Sequence, residues 1–230
     1  MTKTKTIKST ITLVVLLFTT KLNYAQEIDS TRRSREVWIG GQVIVPTGDF
    51  AKKTNIILGA GINFGMVVSP VKTNDIIQVG LDLGIGYFGM TKDSILKTNS
   101  NLYTINLISR FKGPEKGRIM TYVDVLAGTK IFVLATHQNN NIIDALSNSA
   151  DYTTLDSKTS SVFSYGLGIG FKIKPKKKNA KGMIDVRCLY LASGSMIYDS
   201  PSYKETWVSH TNMIIPQVSY VLVITGKKKQ

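Results

Sequence analysis

The sequence predicts an all-β fold: an eight-stranded antiparallel up-and-down transmembrane β-barrel. Three observations support it. Strand-length segments alternate bulky apolar residues with glycine or polar residues, and no apolar run is long enough for a membrane-spanning helix. The connections between these segments include both short turns and long loops, and a short turn lies between the two longest loops. A closed barrel pairs all its backbone groups inside a membrane and hides its apolar surface in such alternation.

The clearest segment is residues 160–174, SSVFSYGLGIGFKIK. Its bulky residues from Phe163 to Ile173 lie on one face, and serine, glycine and lysine lie on the other. Side chains alternate across a strand, so this period of two indicates a strand. Eleven residues span about 36 Å, and a tilted strand crosses a bilayer with about 9–11 residues.

The same alternation predicts the remaining strands. The eight predicted segments are residues 37–46, 56–69, 75–90, 102–112, 119–134, 160–174, 183–193 and 212–225. Turn residues separate some of them, at 46–49, 113–117 and 175–181, whereas polar loops are predicted at 91–101, 135–159 and 194–211. Outer-membrane barrels have short periplasmic turns and longer extracellular loops, which places both termini on the periplasmic side.

Outward-facing aromatic residues are predicted at both membrane interfaces, where amphipathic rings are favoured. The predicted outer-rim residues are Tyr87, Tyr103, Phe163, Tyr165 and Tyr190, and the predicted inner-rim residues are Phe111 and Phe171, with Tyr220 somewhat deeper.

Segments outside the barrel have their own signatures. Basic residues precede the apolar run Ile11–Phe18, and Tyr24–Ala25 offers a cleavage site, so residues 1–25 are predicted to be a signal peptide. The alternative is a buried N-terminal helix. Residues 26–36 are predicted as a flexible leader, 37–226 as the outer-membrane barrel and 227–230 as a basic tail. We therefore expect an outer-membrane protein exported by a cleaved signal peptide.

The charge and cysteine content limit the classes of partner that this protein can have. The net charge is +14, and removing the four lysines of the signal segment, which has no acid, leaves 25 bases and 15 acids. Such an excess of bases can indicate nucleic-acid binding, but an exported chain rarely meets nucleic acid. We expect the basic turns 112–118 and 174–181 to be solvated or to face anionic lipid. The single Cys188 and the lack of a Cys/His cluster predict no disulfide, metal or cofactor. We expect a monomer that contacts outer-membrane lipids, with an extracellular or envelope protein as a further possible partner.

The orientation of the two faces decides between two barrels. In a soluble barrel such as a lipocalin, the apolar face points inward and the polar face meets water. Here the small face is mostly glycine with isolated charges, which is unlike a solvated exterior. An eight-stranded interior is just filled by side chains, so glycine there relieves crowding. The sequence thus favours an apolar exterior in lipid.

Charges of both signs are predicted inside the barrel. They are Asp82, Arg110, Asp124, Lys130, Lys172, Asp185 and Arg187. Buried charges persist only when they are paired or hydrogen-bonded, so we expect a polar network that plugs the lumen. The alternative is an ion-conducting lumen, which eight strands rarely leave open.

Several motifs carry a family resemblance. They are Tyr24–Gln26 at the cleavage site, Pro46–Phe50 after the first strand, and the glycine alternations Gly80–Gly86 and Gly166–Gly170. With these features, residues 37–225 resemble the small outer-membrane β-barrel proteins of Gram-negative bacteria, often called the outer membrane protein beta-barrel domain. The resemblance implies a barrel with a structural or surface-interaction role. A similar family of barrel subunits implies an alternative role in a secretion or transport assembly. Such barrels usually end in an aromatic residue, whereas Tyr220 is the last one here.

Two histidines suggest a further alternative, a barrel enzyme that acts on lipid or protein at the extracellular rim. His137 and His210 are predicted at that rim, with Ser195, Asp199 and Ser209 nearby in the sequence. A nucleophile needs a base within hydrogen-bond reach, and spacing alone does not supply that geometry. Solvated loop histidines are commoner, so we expect no enzyme activity. The aromatic loop residues Tyr198, Tyr203 and Trp207 could instead form a binding patch.

We expect the mature polypeptide to begin at Gln26 and to fractionate with the outer membrane, because export and an apolar exterior both require it. Mass spectrometry of the purified protein and membrane fractionation check this, and a heat-dependent shift in gel migration checks barrel closure. Recovery of a detergent-free soluble monomer would contradict the prediction.

Overall fold

Eight antiparallel strands close into a barrel in the computed structural model, which describes residues 34–54, 58–70, 76–92, 96–139, 152–176, 182–200 and 205–225. The barrel strands are β1 (Ser34–Pro46), β2 (Gly59–Val68), β3 (Ile77–Lys92), β4 (Leu96–Lys116), β5 (Ile119–Asn139), β6 (Tyr152–Ile173), β7 (Gly182–Ser193) and β10 (Met213–Thr225). Around the barrel the order is β1-β10-β7-β6-β5-β4-β3-β2. Each barrel strand therefore neighbours the barrel strands before and after it in the chain, which confirms the predicted up-and-down topology.

Two elements lie outside the eight strands. Helix α1 (Gly48–Thr54) follows β1, where the sequence predicted only a turn. A hairpin of β8 (Ser195–Ser200) and β9 (Glu205–His210) occupies the segment that was predicted as the loop 194–211. The polar composition of both segments concealed this regular structure. Within the described residues, no helix is long and apolar enough to cross a membrane.

The apolar faces of the strands point outward. Leu167 and Ile169 are 59 % and 66 % exposed, whereas Gly84 and Gly168 are buried. Leu81 and Leu83 share the outward face of β3 and are half-buried between neighbouring side chains. The predicted orientation, with the glycine face inside, is confirmed.

The predicted interface aromatics are all exposed on this outer surface. They are Tyr87, Tyr103, Phe163, Tyr165 and Tyr190 towards one end, and Phe111, Phe171 and Tyr220 towards the other. Two aromatic girdles flanking an apolar band are typical of transmembrane barrels.

Four consecutive strands extend well beyond the others on the side of the long loops. Strands β3, β4, β5 and β6 contain 16, 21, 21 and 22 residues, whereas β2 contains 10 and β7 contains 12. Pairing continues to Lys92–Lys97, Leu96–Gln138 and Asn139–Tyr152. The predicted loops 91–101 and 135–159 were therefore wrong over most of their length. Outside the membrane both faces of a strand meet water, so the alternation that identifies a strand disappears.

Boundaries on the opposite side also differ from the prediction. Strand β1 begins at Ser34, so the last three residues of the predicted flexible leader belong to the barrel. Strand β4 continues through the predicted turn at 113–117 as far as Lys116, with a register shift after Lys112. The reversal occurs at Gly117, whose φ of 62° is a left-handed conformation that suits glycine.

The seam between the first and last strands contains an unusual residue, Pro216. The Thr47 amide donates to the Asn212 carbonyl at 2.9 Å, which fixes the antiparallel register of this seam. Hydrogen-bonded positions recur every second residue, so Pro216 lies opposite Val43 at such a position. Proline has no amide hydrogen to donate there. The seam thus lacks one ladder hydrogen bond.

Pro216→Val should stabilise the barrel by about 1 kcal/mol, because valine can supply the missing amide donor and suits a lipid-facing strand. Denaturant unfolding in detergent micelles checks this. The matched control is Val218→Ile, on the same face of β10, which changes an exposed apolar side chain but no donor. An equal or lower stability of Pro216→Val relative to the wild type would show that the seam does not gain the bond.

Candidate functional site

Inward glycines make room for large inward side chains of neighbouring strands. A Cβ atom on Gly65 would collide with the indole ring of Trp38, and one on Gly170 would collide with the ring of Tyr122. Trp38 and Tyr122 are both buried. The glycine alternation therefore positions the aromatic walls of a charged lumen.

The strongest ion pair in the lumen joins Arg110 of β4 and Asp124 of β5. The Arg110 Nε donates to Asp124 Oδ1 at 2.8 Å, and its Nη2 donates to Oδ2 at 2.9 Å. The two residues are register partners on adjacent strands, and both side chains are fully buried. A two-point guanidinium–carboxylate contact is the strongest kind of charge-assisted hydrogen bond.

Arg187 of β7 extends this network across the lumen. Its Nη2 lies 2.5 Å from Asp82 Oδ1 on β3, and its Nη1 lies 3.2 Å from Asp124 Oδ2 on β5. Its Nε donates to Gln217 Oε1 on β10 at 2.7 Å. One guanidinium thus contacts three other strands.

Glu36 of β1 belongs to the same charge network, although the sequence analysis assigned it to the leader. It accepts a hydrogen bond from Lys172 and lies 2.9 Å from Lys112 Nζ and 3.8 Å from Arg110 Nη1. The residue belongs to the same inward face as Trp38, and extending the alternation two residues towards the N-terminus would have found it. With Glu36, the predicted set of four cations and three carboxylates gains a fourth carboxylate.

Asp185 and the aromatic walls complete the charged part of the lumen. The Tyr122 hydroxyl donates to Asp185 Oδ1 at 2.6 Å. The Arg110 guanidinium lies 3.9 Å from the centre of the Tyr122 ring and 4.9 Å from the Trp38 ring. These cation–π contacts stabilise a desolvated cation beyond its ion pair.

Lys130 is placed apart from the other charges. Its ammonium donates to the carbonyl of Leu191 at 2.9 Å and to the carbonyl of Thr211. Among the described residues it has no carboxylate partner, although it is fully buried. The two carbonyls lie at the end of β7 and just before β10, so Lys130 of β5 contacts the base of the β8–β9 hairpin.

Uncharged polar groups fill the middle of the lumen. Gln217 Nε2 donates to Gln42 Oε1 at 2.9 Å, and Asn63 Nδ2 donates to Ser219 Oγ at 3.0 Å. Gln217 also accepts from Arg187, so the amides and the charges form one continuous network.

An apolar layer lies inside the barrel at the side of the long strands. It contains Ile44, Phe50, Phe88, Leu102, Phe132, Met196 and Met213, all of them buried. Phe50 comes from α1 and packs edge-on against Phe132, with ring centres 5.5 Å apart. Helix α1 also contacts β9. The helix and hairpin that the sequence did not reveal therefore help to cover this end of the barrel.

Among the described side chains, His210 contacts a backbone carbonyl and is not seen in a catalytic group. The His210 Nδ1 lies 3.0 Å from the Ser193 carbonyl oxygen, which is a backbone group. His137 lies in β5, where it pairs with Lys97 of β4. The side chain of His137 lies outside the described residues, as do the side chains of Asp199, Tyr198, Tyr203 and Trp207. Within the described part of the chain, no group of three acidic, histidine or cysteine side chains could hold a metal ion.

An apolar exterior, two aromatic girdles and a polar, glycine-lined interior occur together in this closed eight-stranded barrel. The fold is that of a small outer-membrane β-barrel. No protein-family model matches the chain, and no curated protein sequence matches it.

Solved structures that match the chain include outer-membrane proteins from three bacteria. The outer membrane protein OprG from Pseudomonas aeruginosa is 11 % identical with a TM-score of 0.48, and the match covers 85 % of this chain and 97 % of OprG. The attachment invasion locus protein Ail of Yersinia pestis is 13 % identical with a TM-score of 0.44, over 84 % and 100 % of the two chains. A major outer membrane protein from Thermus thermophilus is 10 % identical with a TM-score of 0.45, over 83 % and 99 %.

Asp124→Asn should destabilise the barrel by about 3–5 kcal/mol, because it removes the carboxylate that pairs two buried guanidinium groups. Denaturant unfolding in micelles measures this. Glu115→Gln is the matched control, since it breaks an exposed pair with Lys174 worth about 0–1 kcal/mol.

Replacing both partners, as Arg110→Met with Asp124→Leu, should recover much of that loss, because no unpaired charge remains between these positions. Equal effects of Asp124→Asn and Glu115→Gln would show that the buried pair does not stabilise the barrel.

Proposed function

We propose that this chain is a monomeric integral outer-membrane protein that is exported by a cleaved signal peptide. In this proposal the lumen is closed, and the barrel supports an extracellular surface that interacts with partners. The observation that carries the proposal is the contrast between a filled lumen and a large extension of four strands outside the membrane band.

The lumen contacts support a closed interior. Arg187 links β7 with β3, β5 and β10, and Glu36 links β1 with Lys172 on β6. A conducting pore through this part would have to separate several buried ion pairs, each of which is costly to break. The apolar layer around Phe50 and Phe132 is a second barrier to ions.

The extended strands support an extracellular role. From the outer aromatic Phe163 to its start at Tyr152, β6 continues for about 36 Å along the strand axis, at roughly 3.3 Å per residue. Its exposed side chains there include Ser157, Thr159 and Ser161. Backbone pairing with β5 continues along this extension to Asn139–Tyr152, with one register shift after Thr136. A polar sheet held by ladder hydrogen bonds presents a surface of fixed shape to a partner.

A non-enzymatic role is part of this proposal. His210 contacts the carbonyl of Ser193, and a backbone carbonyl can orient an imidazole but cannot act as a nucleophile. A barrel subunit of a secretion or transport assembly remains the alternative predicted from the sequence, and it would use the same exposed sheet for a protein partner of the envelope.

We expect a cysteine at Thr159 to react with a membrane-impermeant maleimide on intact cells, in a Cys188→Ser background that removes the native thiol. Lys176→Cys is the matched control on the opposite side of the barrel, and it should react only after the outer membrane is permeabilised. The reverse pattern would place the extended sheet in the periplasm and contradict the proposal.

A shortened protein tests the role of the extension itself. Replacing residues 136–156 by an Asn-Gly turn, which suits a two-residue hairpin, should leave heat-dependent gel migration intact because the barrel portion is unchanged. We expect this variant to lose the photo-crosslinks that a full-length protein forms from position 159 to other surface proteins. A full-length protein without such crosslinks would favour a purely structural role.

A further inference from the structure

Four cations cluster where the β4–β5 and β6–β7 turns meet at the short-turn end of the barrel. This turn cluster consists of Lys116, Arg118, Lys174 and Lys176, and Glu115 lies against Lys174. The Arg118 Nε and Nη2 donate to the Lys174 carbonyl at 2.9 and 2.6 Å. The Lys174 amide donates in return to the Arg118 carbonyl at 2.8 Å, so the two turns are joined.

The charges of this cluster are only partly compensated. Lys174 Nζ lies 2.6 Å from Glu115 Oε1. Lys116 and Lys176 are exposed, and no carboxylate of the described residues pairs with either of them. The sequence continues with Lys177, Lys178 and Lys181, which lie outside the described residues. A rigid backbone pair therefore presents an excess of positive charge at one side of the barrel end.

The depth of the cluster matches the headgroup layer of a membrane. Phe171 is the inner-girdle aromatic of β6, and Lys174 and Lys176 follow it by three and five residues. β6 ends at Ile173, so the three residues from Phe171 to Lys174 cover about 10 Å along the strand direction, or about 7 Å of depth at a tilt of about 45°. Beyond the hydrocarbon core, the headgroup region on each side is about 5–8 Å thick. Lys174 thus reaches the level of lipid phosphates.

An apolar wall stands next to the charges. Ile119 and Phe171 are exposed on the outer surface, and Ile119 pairs in register with Ile173. A membrane lipid offers both an anionic phosphate for the lysines and acyl chains for this wall. A soluble acidic peptide offers only the charge. The combination distinguishes the two classes of occupant.

We propose that the turn cluster is a binding site for the phosphate headgroup of an anionic phospholipid in the periplasmic leaflet. The inference rests on the membrane orientation in the proposed function, although it does not depend on the extracellular role. Lysine ammonium groups bind phosphate as point charges, and the Arg118 guanidinium, already held by the Lys174 carbonyl, adds a fixed positive charge. Basic side chains near a membrane surface contribute about 1 kcal/mol each towards anionic lipid.

Native mass spectrometry of the full chain in nonionic detergent tests the site, with phosphatidylglycerol and phosphatidylcholine as probes. The wild type should retain phosphatidylglycerol in preference to phosphatidylcholine. The double variant Lys116→Gln with Lys176→Gln should bind phosphatidylglycerol about thirtyfold more weakly. Within the described ranges neither lysine pairs with a carboxylate, so this variant should keep its heat-dependent gel migration.

The matched control is Lys52→Gln with Lys53→Gln, which removes the same charge from α1 at the other end of the barrel. It should retain wild-type binding. Equal losses in both double variants, or no preference for the anionic lipid, would overturn the site. Stronger binding of a cell-wall peptide bearing free carboxylates through the same two lysines would assign the cluster to a different occupant and also overturn it. The maleimide experiment at position 159 tests the orientation separately, so the two failures are distinguishable.

Discussion

Closing eight strands into a barrel leaves so little interior space that each large inward side chain needs a small neighbour. Trp38 lies over Gly65 and Tyr122 lies over Gly170, at positions where even a methyl group would collide with the ring. These aromatic rings in turn flank the Arg110 guanidinium. The glycine pattern, the aromatic walls and the buried charges are therefore one steric arrangement, and changing the glycines would disturb all three.

The charges then join strands that are not adjacent in the sheet. Backbone ladders connect each strand only to its two neighbours, whereas Arg187 contacts side chains of β3, β5 and β10. Glu36 connects β1 with β6 in the same way. Because each ion is desolvated and has several partners, loss of one carboxylate affects more than one cation. Side chains across the lumen thus supplement the ladder, including at the seam where Pro216 lacks a donor.

The predictable part of this molecule is the part in contact with lipid. Alternation of Leu167 and Ile169 with Gly168 arises because one strand face meets acyl chains and the other meets a crowded interior, so strand number and orientation could be predicted. The extensions of β3–β6 have water on both faces, and their sequences carry no such period. Glu36 was missed because it follows a run of basic residues that resembles a leader. Lys130 was predicted inside, but its partners are carbonyl oxygens, which every residue possesses and no sequence pattern distinguishes.

The carbonyl contacts of Lys130 have a mechanical consequence for the β8–β9 hairpin. The chain leaves the barrel just after Leu191 and re-enters it just after Thr211, and both of these carbonyls accept hydrogen bonds from the same ammonium group. Any movement of the hairpin that displaced its base would break the hydrogen bonds of the buried Lys130 ammonium group. The hairpin can therefore bend only beyond the contact with Lys130, and β8 and β9 are constrained to move together.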